Sequence, residues 1–192
     1  TWRGGGIYNW LSSPTIANCR ILHNTAAVAG AGIANEAYEI GGTFYPANAT
    51  LLNCIIEQNT ASRVADGGVG PGGGNPIRGG GGIFNNQSSS TVSMATIFGN
   101  TIDTTYVGDA THHGELSGGI YTWNATPTVA NTIVWGNTGG INHGRPATAP
   151  TQNTTVTYSD VQMTAGVFPG TGNISVNPAL TNNTYEGLVG PT

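Results

Sequence analysis

The sequence predicts an all-β chain, a parallel β-helix of about five coils plus a partial sixth, with loops inserted between coils. Three observations predict it. One segment recurs along the chain, like residues in its copies fall into columns, and the residues involved are poor helix formers.

The recurring segment is TIANCRILHNTA (15–26). It returns as TLLNCIIEQNTA (50–61), TVSMATIFGNTI (91–102) and TVANTIVWGNTG (128–139), and fades in TVTYSDVQ (155–162). Aligned without gaps, the copies give one aliphatic column of Ile16, Leu51, Val92, Val129 and Val156, and a second of Ile21, Ile56, Ile97, Val134 and Val161. A third column holds the small residues Cys19, Cys54, Ala95, Thr132 and Ser159. A fourth is pure asparagine: Asn24, Asn59, Asn100 and Asn137. Another reads Asn18, Asn53, Met94, Asn131 and Tyr158.

The other half of the unit is GGGIYN (4–9), which returns as GAGIAN (30–35), GGGIFN (80–85), GGIYTWN (118–124) and GGIN (139–142). One unit is therefore a Gly-led strand, a turn often marked SSPT or TPT, a second strand, an Asn bend, a third strand and an Asn-ended corner. Its period varies from about 21 to 50 residues because insertions fall between units. Short β segments with one or two inward aliphatics, separated by tight polar bends, fit this pattern. Parallel strands ~4.8 Å apart stack identical residues. An asparagine at each bend then bonds the one above and below and satisfies bend backbone that water cannot reach.

These segments, with NTIVWGN and VTYSDVQ…GTGNISVNPAL closing the chain, resemble the right-handed parallel β-helix repeats of bacterial surface proteins related to polymorphic outer membrane proteins. The resemblance covers about residues 4–180 and is specific for fold, not activity. It implies a right-handed coil, as parallel crossovers generally have, and a secreted or surface-displayed protein with an adhesive or structural role. The missing lead-in coils and the tail TNNTYEGLVGPT depart from the family pattern.

Composition narrows the function. Only 7% of residues are charged, lysine is absent, and the five cations are Arg3, Arg20, Arg63, Arg78 and Arg145. A net charge of −4 spread this thinly offers no nucleic-acid groove. No apolar run approaches the ~20 residues of a membrane span. With 31 Gly, 20 Asn and 27 Thr, the surface is wetted by neutral groups and tolerates close approach of other copies. This leans toward an extracellular, assembled protein.

The single domain spans 1–180, with insertions at 36–47, 62–79 and 102–117 and a tail at 181–192. The last insertion carries Asp103, Asp109, His112, His113 and Glu115, the residues that would hold a metal such as a structural Ca²⁺. Their spacing matches no calcium loop or zinc motif, so a solvated loop, with no cofactor, is the expectation. Sugar-cleaving chemistry needs two carboxylates facing one cleft. The acids here are scattered over unlike columns, so no catalytic residue is assigned and no enzyme is expected. His23 occupies an exposed position before the bend. Phe98 and Trp135 share one outward column, covered by a loop or neighbour or offered as a carbohydrate face. Cys19 and Cys54, one coil apart, suit either a pair of small thiols or a disulfide.

A β-helix leaves a row of unpaired backbone groups and a bare core at each end. Here the first coil starts by residue 4 with no capping helix. Either coils are missing upstream, or the first coil lies against the last coil of another copy, with the tail 181–192 reaching along that neighbour. The leading expectation is a non-enzymatic extracellular structural protein, stacking head to tail with copies of itself into a surface filament. The alternatives are an adhesin or carbohydrate-binding segment that engages surface polysaccharide and, behind it, a polysaccharide lyase or hydrolase.

Overall fold

A computed structural model describes residues 3–62, 79–102, 117–144 and 154–180. The interiors of the two longer insertions and the tail 181–192 lie outside the described residues. Among the described residues every regular element is a strand. The first rung comprises β1 (Ile7–Trp10), β2 (Thr15–Ala17), β3 (Arg20–Leu22) and β4 (Thr25–Ala26). The second begins with β5 (Ile33–Glu36), makes an excursion through β6 (Tyr38–Ile40) and β7 (Thr43–Tyr45), and continues with β8 (Thr50–Leu52), β9 (Ile55–Glu57) and β10 (Thr60–Ala61). The third holds β11 (Ile83–Asn86), β12 (Thr91–Ser93), β13 (Thr96–Phe98) and β14 (Thr101–Ile102). After it come β15 (Ile120–Trp123), β16 (Thr128–Ala130) and β17 (Ile133–Trp135), then β18 (Ile141–Gly144), β19 (Thr155–Thr157) and β20 (Asp160–Val161).

Strands at the same place in successive rungs pair in parallel. Three five-stranded sheets result, ordered β1-β5-β11-β15-β18, β2-β8-β12-β16-β19 and β3-β9-β13-β17-β20, with a short sheet β4-β10-β14. Each step of the first aliphatic column is an in-register pair: Ile16 with Leu51, Leu51 with Val92, Val92 with Val129, Val129 with Val156. The second column, Ile21 to Val161, is paired the same way. Both columns are buried in one cluster with Ile33, Ile83, Ile120 and Ile141 of the first sheet. At ~1.5–3 kcal/mol for each buried aliphatic, this stack is the main stabilising term. The sheets stack in register and none closes on itself, an all-β arrangement compatible with a parallel β-helix-like solenoid.

Local chemistry explains the repeat's punctuation. A Cβ on Gly6 would sit 2.8 Å from the carbonyl oxygen of Gly32, and one on Gly82 2.8 Å from that of Gly119. The last glycine before each isoleucine is thus the place where rungs approach too closely for a side chain. Asn18, Asn53, Met94, Asn131 and Tyr158 all have φ of 48–55°. That column is a left-handed bend, which is why asparagine recurs in it.

The 36–47 insertion is partly ordered differently from a plain loop. Glu36 is the buried last residue of β5, and β6 and β7 form an antiparallel hairpin turning on Gly41–Gly42, both at positive φ. Two such residues make the tight turn that matches strand twist.

Candidate functional site

The asparagine column forms a continuous ladder. Asn24 Nδ2 donates to Asn59 Oδ1, Asn59 Nδ2 to Asn100 Oδ1 and Asn100 Nδ2 to Asn137 Oδ1, each at 2.9 Å. The same oxygens accept backbone N–H bonds from Asn24, Asn59 and Asn100 at 2.9–3.0 Å. Each lower-rung carbonyl is met as well: Asn59 Nδ2 reaches Ile21 O at 2.8 Å and Asn100 Nδ2 reaches Ile56 O at 2.8 Å. A second ladder inside the first sheet escapes the sequence reading: Asn9 Nδ2 donates to Asn35 Oδ1 (2.7 Å) and Asn35 Nδ2 to Asn85 Oδ1 (2.8 Å). Above it the column changes to Thr122 and His143, bonded to each other at 2.6 Å, and Asn85 Nδ2 has no partner. The signal for this ladder is the asparagine that ends GGGIYN, GAGIAN and GGGIFN, a column that breaks at Thr122.

The two ends of the stack differ. β1, β2, β3 and β4 each pair with a strand on one side among the described residues. Their inward side chains keep some solvent contact: Ile16 is 9% and Ile21 6% exposed, against 0% for Leu51 and Ile56. At the far end, Val156 and Val161 are 1% and 0% exposed because residues 163–176 fold over them. Phe168 packs against the core there. Asn173 Nδ2 donates to Val156 O at 2.9 Å and Phe168 O at 3.1 Å, while its Oδ1 accepts from Ser159 N at 3.0 Å. Ile174 then runs parallel beside Asp160 as the start of one further strand.

The outer face of the first sheet is covered locally. Ala34, Phe84 and Tyr121 bury against Val28 and Ala29, with the Phe84 and Tyr121 rings stacked at 6.1 Å and 4°. Burial pushes the Tyr121 hydroxyl up to about 12. Beside them Arg3 forms an ion pair with Glu36, and its guanidinium carbon lies 5.4 Å from the Phe84 ring centroid. Tyr8 Oη and Asn86 Nδ2 donate to the same carboxylate at 2.8 and 3.1 Å. Burial lowers the Arg3 pKa, opposed by Tyr8, and raises that of Tyr8, opposed by Arg3. Glu36 is therefore a structural carboxylate clamping the first rung to the second and third.

The residues singled out from sequence fare unequally. Cys19 and Cys54 are not bridged in the structure: both thiols are free. Nor are they a matched buried pair. Cys54 is buried with Sγ directed at Ile16 O, whereas Cys19, with no rung beneath it among the described residues, is exposed with Sγ directed at Ala17 O. Phe98 and Trp135 do share a column in register, both half-buried. The Phe98 ring lies over Gly136, where a Cβ would come within 2.8 Å of it. Asp103, Asp109, His112 and Glu115 lie outside the described residues. His23 is exposed at a left-handed bend.

The open aromatics lie elsewhere. Trp10 meets Tyr38 edge to face at 5.1 Å, and Tyr38 pairs across the hairpin with Tyr45, all three 45–49% exposed. A groove of about 430 Å³ opens at the far end of the left-handed bends, bounded by Asn131, Ile133, Tyr158, Asp160, Gly172 and Ile174. Composition alone does not locate it, because it forms only where residues 172–174 fold back on the last rung. No family model, curated protein or solved structure matches the chain.

Proposed function

We propose that this chain is a non-enzymatic structural protein acting outside the cell, a right-handed parallel β-helix of about five coils plus a partial sixth that stacks head to tail with copies of itself into a filament. The unequal ends carry the reading. The first rung presents four aligned strand edges over an incompletely covered core, with Cys19 exposed. At the other end the strand begun at Ile174 presents a further edge beside β20, in the same sheet as β3. Two unlike surfaces that complement each other make a heterologous contact, which propagates instead of closing. A row of strand hydrogen bonds plus the cover given to Ile7, Ile16 and Ile21 opposes the several-kcal/mol cost of association. The repeat's likeness to surface-protein β-helices supports the extracellular setting.

Light scattering and negative-stain microscopy of the purified chain test the proposal. Rods that lengthen with concentration, and that shorten at least tenfold in abundance with Leu22→Lys on the free edge of β3, are the expected result. Monodisperse 19.6 kDa particles at all concentrations overturn it.

A further inference from the structure

We infer that the groove beside Tyr158 is a binding site for an uncharged sugar residue, open in the free chain and competing with head-to-tail stacking for the edge at Ile174. Its volume of about 430 Å³ lies in the ~300–1,000 Å³ range of small-molecule sites. The first argument is Tyr158 itself. It stands at φ 48°, in a column where asparagine, which tolerates that conformation, fills three of five places. The bend is common to every rung, Met94 at φ 53° included, so what sets this rung apart is the aromatic ring placed there.

The second argument is how the ring is held. Tyr158 N donates to Thr171 O at 2.8 Å, and one edge of the ring lies against Gly172, where any Cβ would collide with it. The side chain nonetheless remains 63% exposed, so a fixed aromatic face is turned toward solvent beside the groove. Such a face suits the apolar C–H side of a pyranose. Ile133 and Ile174 supply the rest of the apolar wall.

The polar groups define the ligand. Asp160 Oδ1 accepts from Val176 N at 3.1 Å, which orients the carboxylate while leaving acceptor sites unused. Asn131 adds an amide that both donates and accepts. Hydroxyl pairs need that combination. The lining contains no lysine or arginine, and Asp160 repels anions, so uronates and sulfated or phosphorylated sugars are disfavoured.

NMR and calorimetric titration of the full chain with neutral hexose oligomers, a galacturonate oligomer and choline tests the site. Saturable binding of a neutral oligomer is expected, weakened at least tenfold by Tyr158→Asn and kept within about threefold by Tyr158→Phe. Because asparagine fits the bend, Tyr158→Asn keeps the thermal midpoint of the parent, which separates lost binding from lost fold. Asp160→Asn weakens neutral-sugar binding several-fold and admits the galacturonate oligomer. Absence of neutral-sugar binding, binding unchanged by Tyr158→Asn, or preferential binding of choline or galacturonate by the parent overturns the inference.

Discussion

The first rung and the interior rungs are made of the same residue types in the same columns, yet those columns meet solvent differently. Asn59 is bonded from both sides, while the Asn24 side chain bonds upward to Asn59 Oδ1. Cys54 is buried and Cys19 exposed; Tyr121 is 1% exposed and Tyr8, in its column, 49%. At the opposite end Val156, Ser159 and Val161 are as buried as any interior residue because Phe168 and Asn173 stand in for the missing rung. The difference teaches that a rung's stability resides largely in its neighbours.

The strongest way to break this comparison is to remove the ladder at two heights. Asn59→Ala, at a position that is itself fully buried, strips the acceptor from Asn24 N and the donor from Ile21 O. With each stranded group costing ~1–3 kcal/mol, a loss of about 3–5 kcal/mol is expected in denaturant unfolding. Asn24→Ala removes one rung's bonds at a half-buried position and costs about 1 kcal/mol. Equal losses would show that the ends are no different from the middle. Asn173→Ala comes next, because it opens the sealed end. Losing its bonds to Val156 O, Phe168 O and Ser159 N costs about 2–3 kcal/mol and turns the capped end into a second open one.

What could be read beforehand follows from the same physics. The aliphatic columns and the Asn24 ladder were legible because stacking imposes one residue type on every rung. Outward columns carry no such demand. Tyr8, Ala34, Phe84 and Tyr121 share nothing that marks them as a single covered face, and Glu36 sits among Trp10, Asn86 and Trp123. The inner Asn9–Asn35–Asn85 ladder shows as the asparagine that ends GGGIYN, GAGIAN and GGGIFN, but its change to Thr122 and His143 interrupts the column. The hairpin did have a signal in Gly41–Gly42 between alternating apolar residues, which the acidic and aromatic composition obscured. The cap was invisible because Phe168 and Asn173 act once and repeat nothing.

The tyrosine column sharpens the comparison by pH. Tyr121 titrates at about 12 when folded and near 10 when unfolded. The neutral form is thus favoured by the fold, and the contribution is fully present below pH 10. Above that the unfolded chain releases its proton first, so stability falls as pH rises through 12, by about 2–3 kcal/mol. Denaturation midpoints measured between pH 9 and 12 check this. Tyr121→Phe removes most of the decline, whereas Tyr8→Phe, at the exposed end of the column, leaves most of it in place.

The smallest effect on stability, and the most direct report on the open end, belongs to the cysteines. Cys19→Ala costs under about 0.5 kcal/mol, as exposed positions do. Its thiol reacts with a maleimide under native conditions, while Cys54 waits for unfolding. If the first rung is covered by another copy, the accessible thiol disappears in the assembled fraction and returns on dilution, without any change in secondary structure. Equal labelling of Cys19 in assembled and dissociated protein would mean that association uses some other surface, and the exposed Trp10, Tyr38 and Tyr45 corner would be the next to probe.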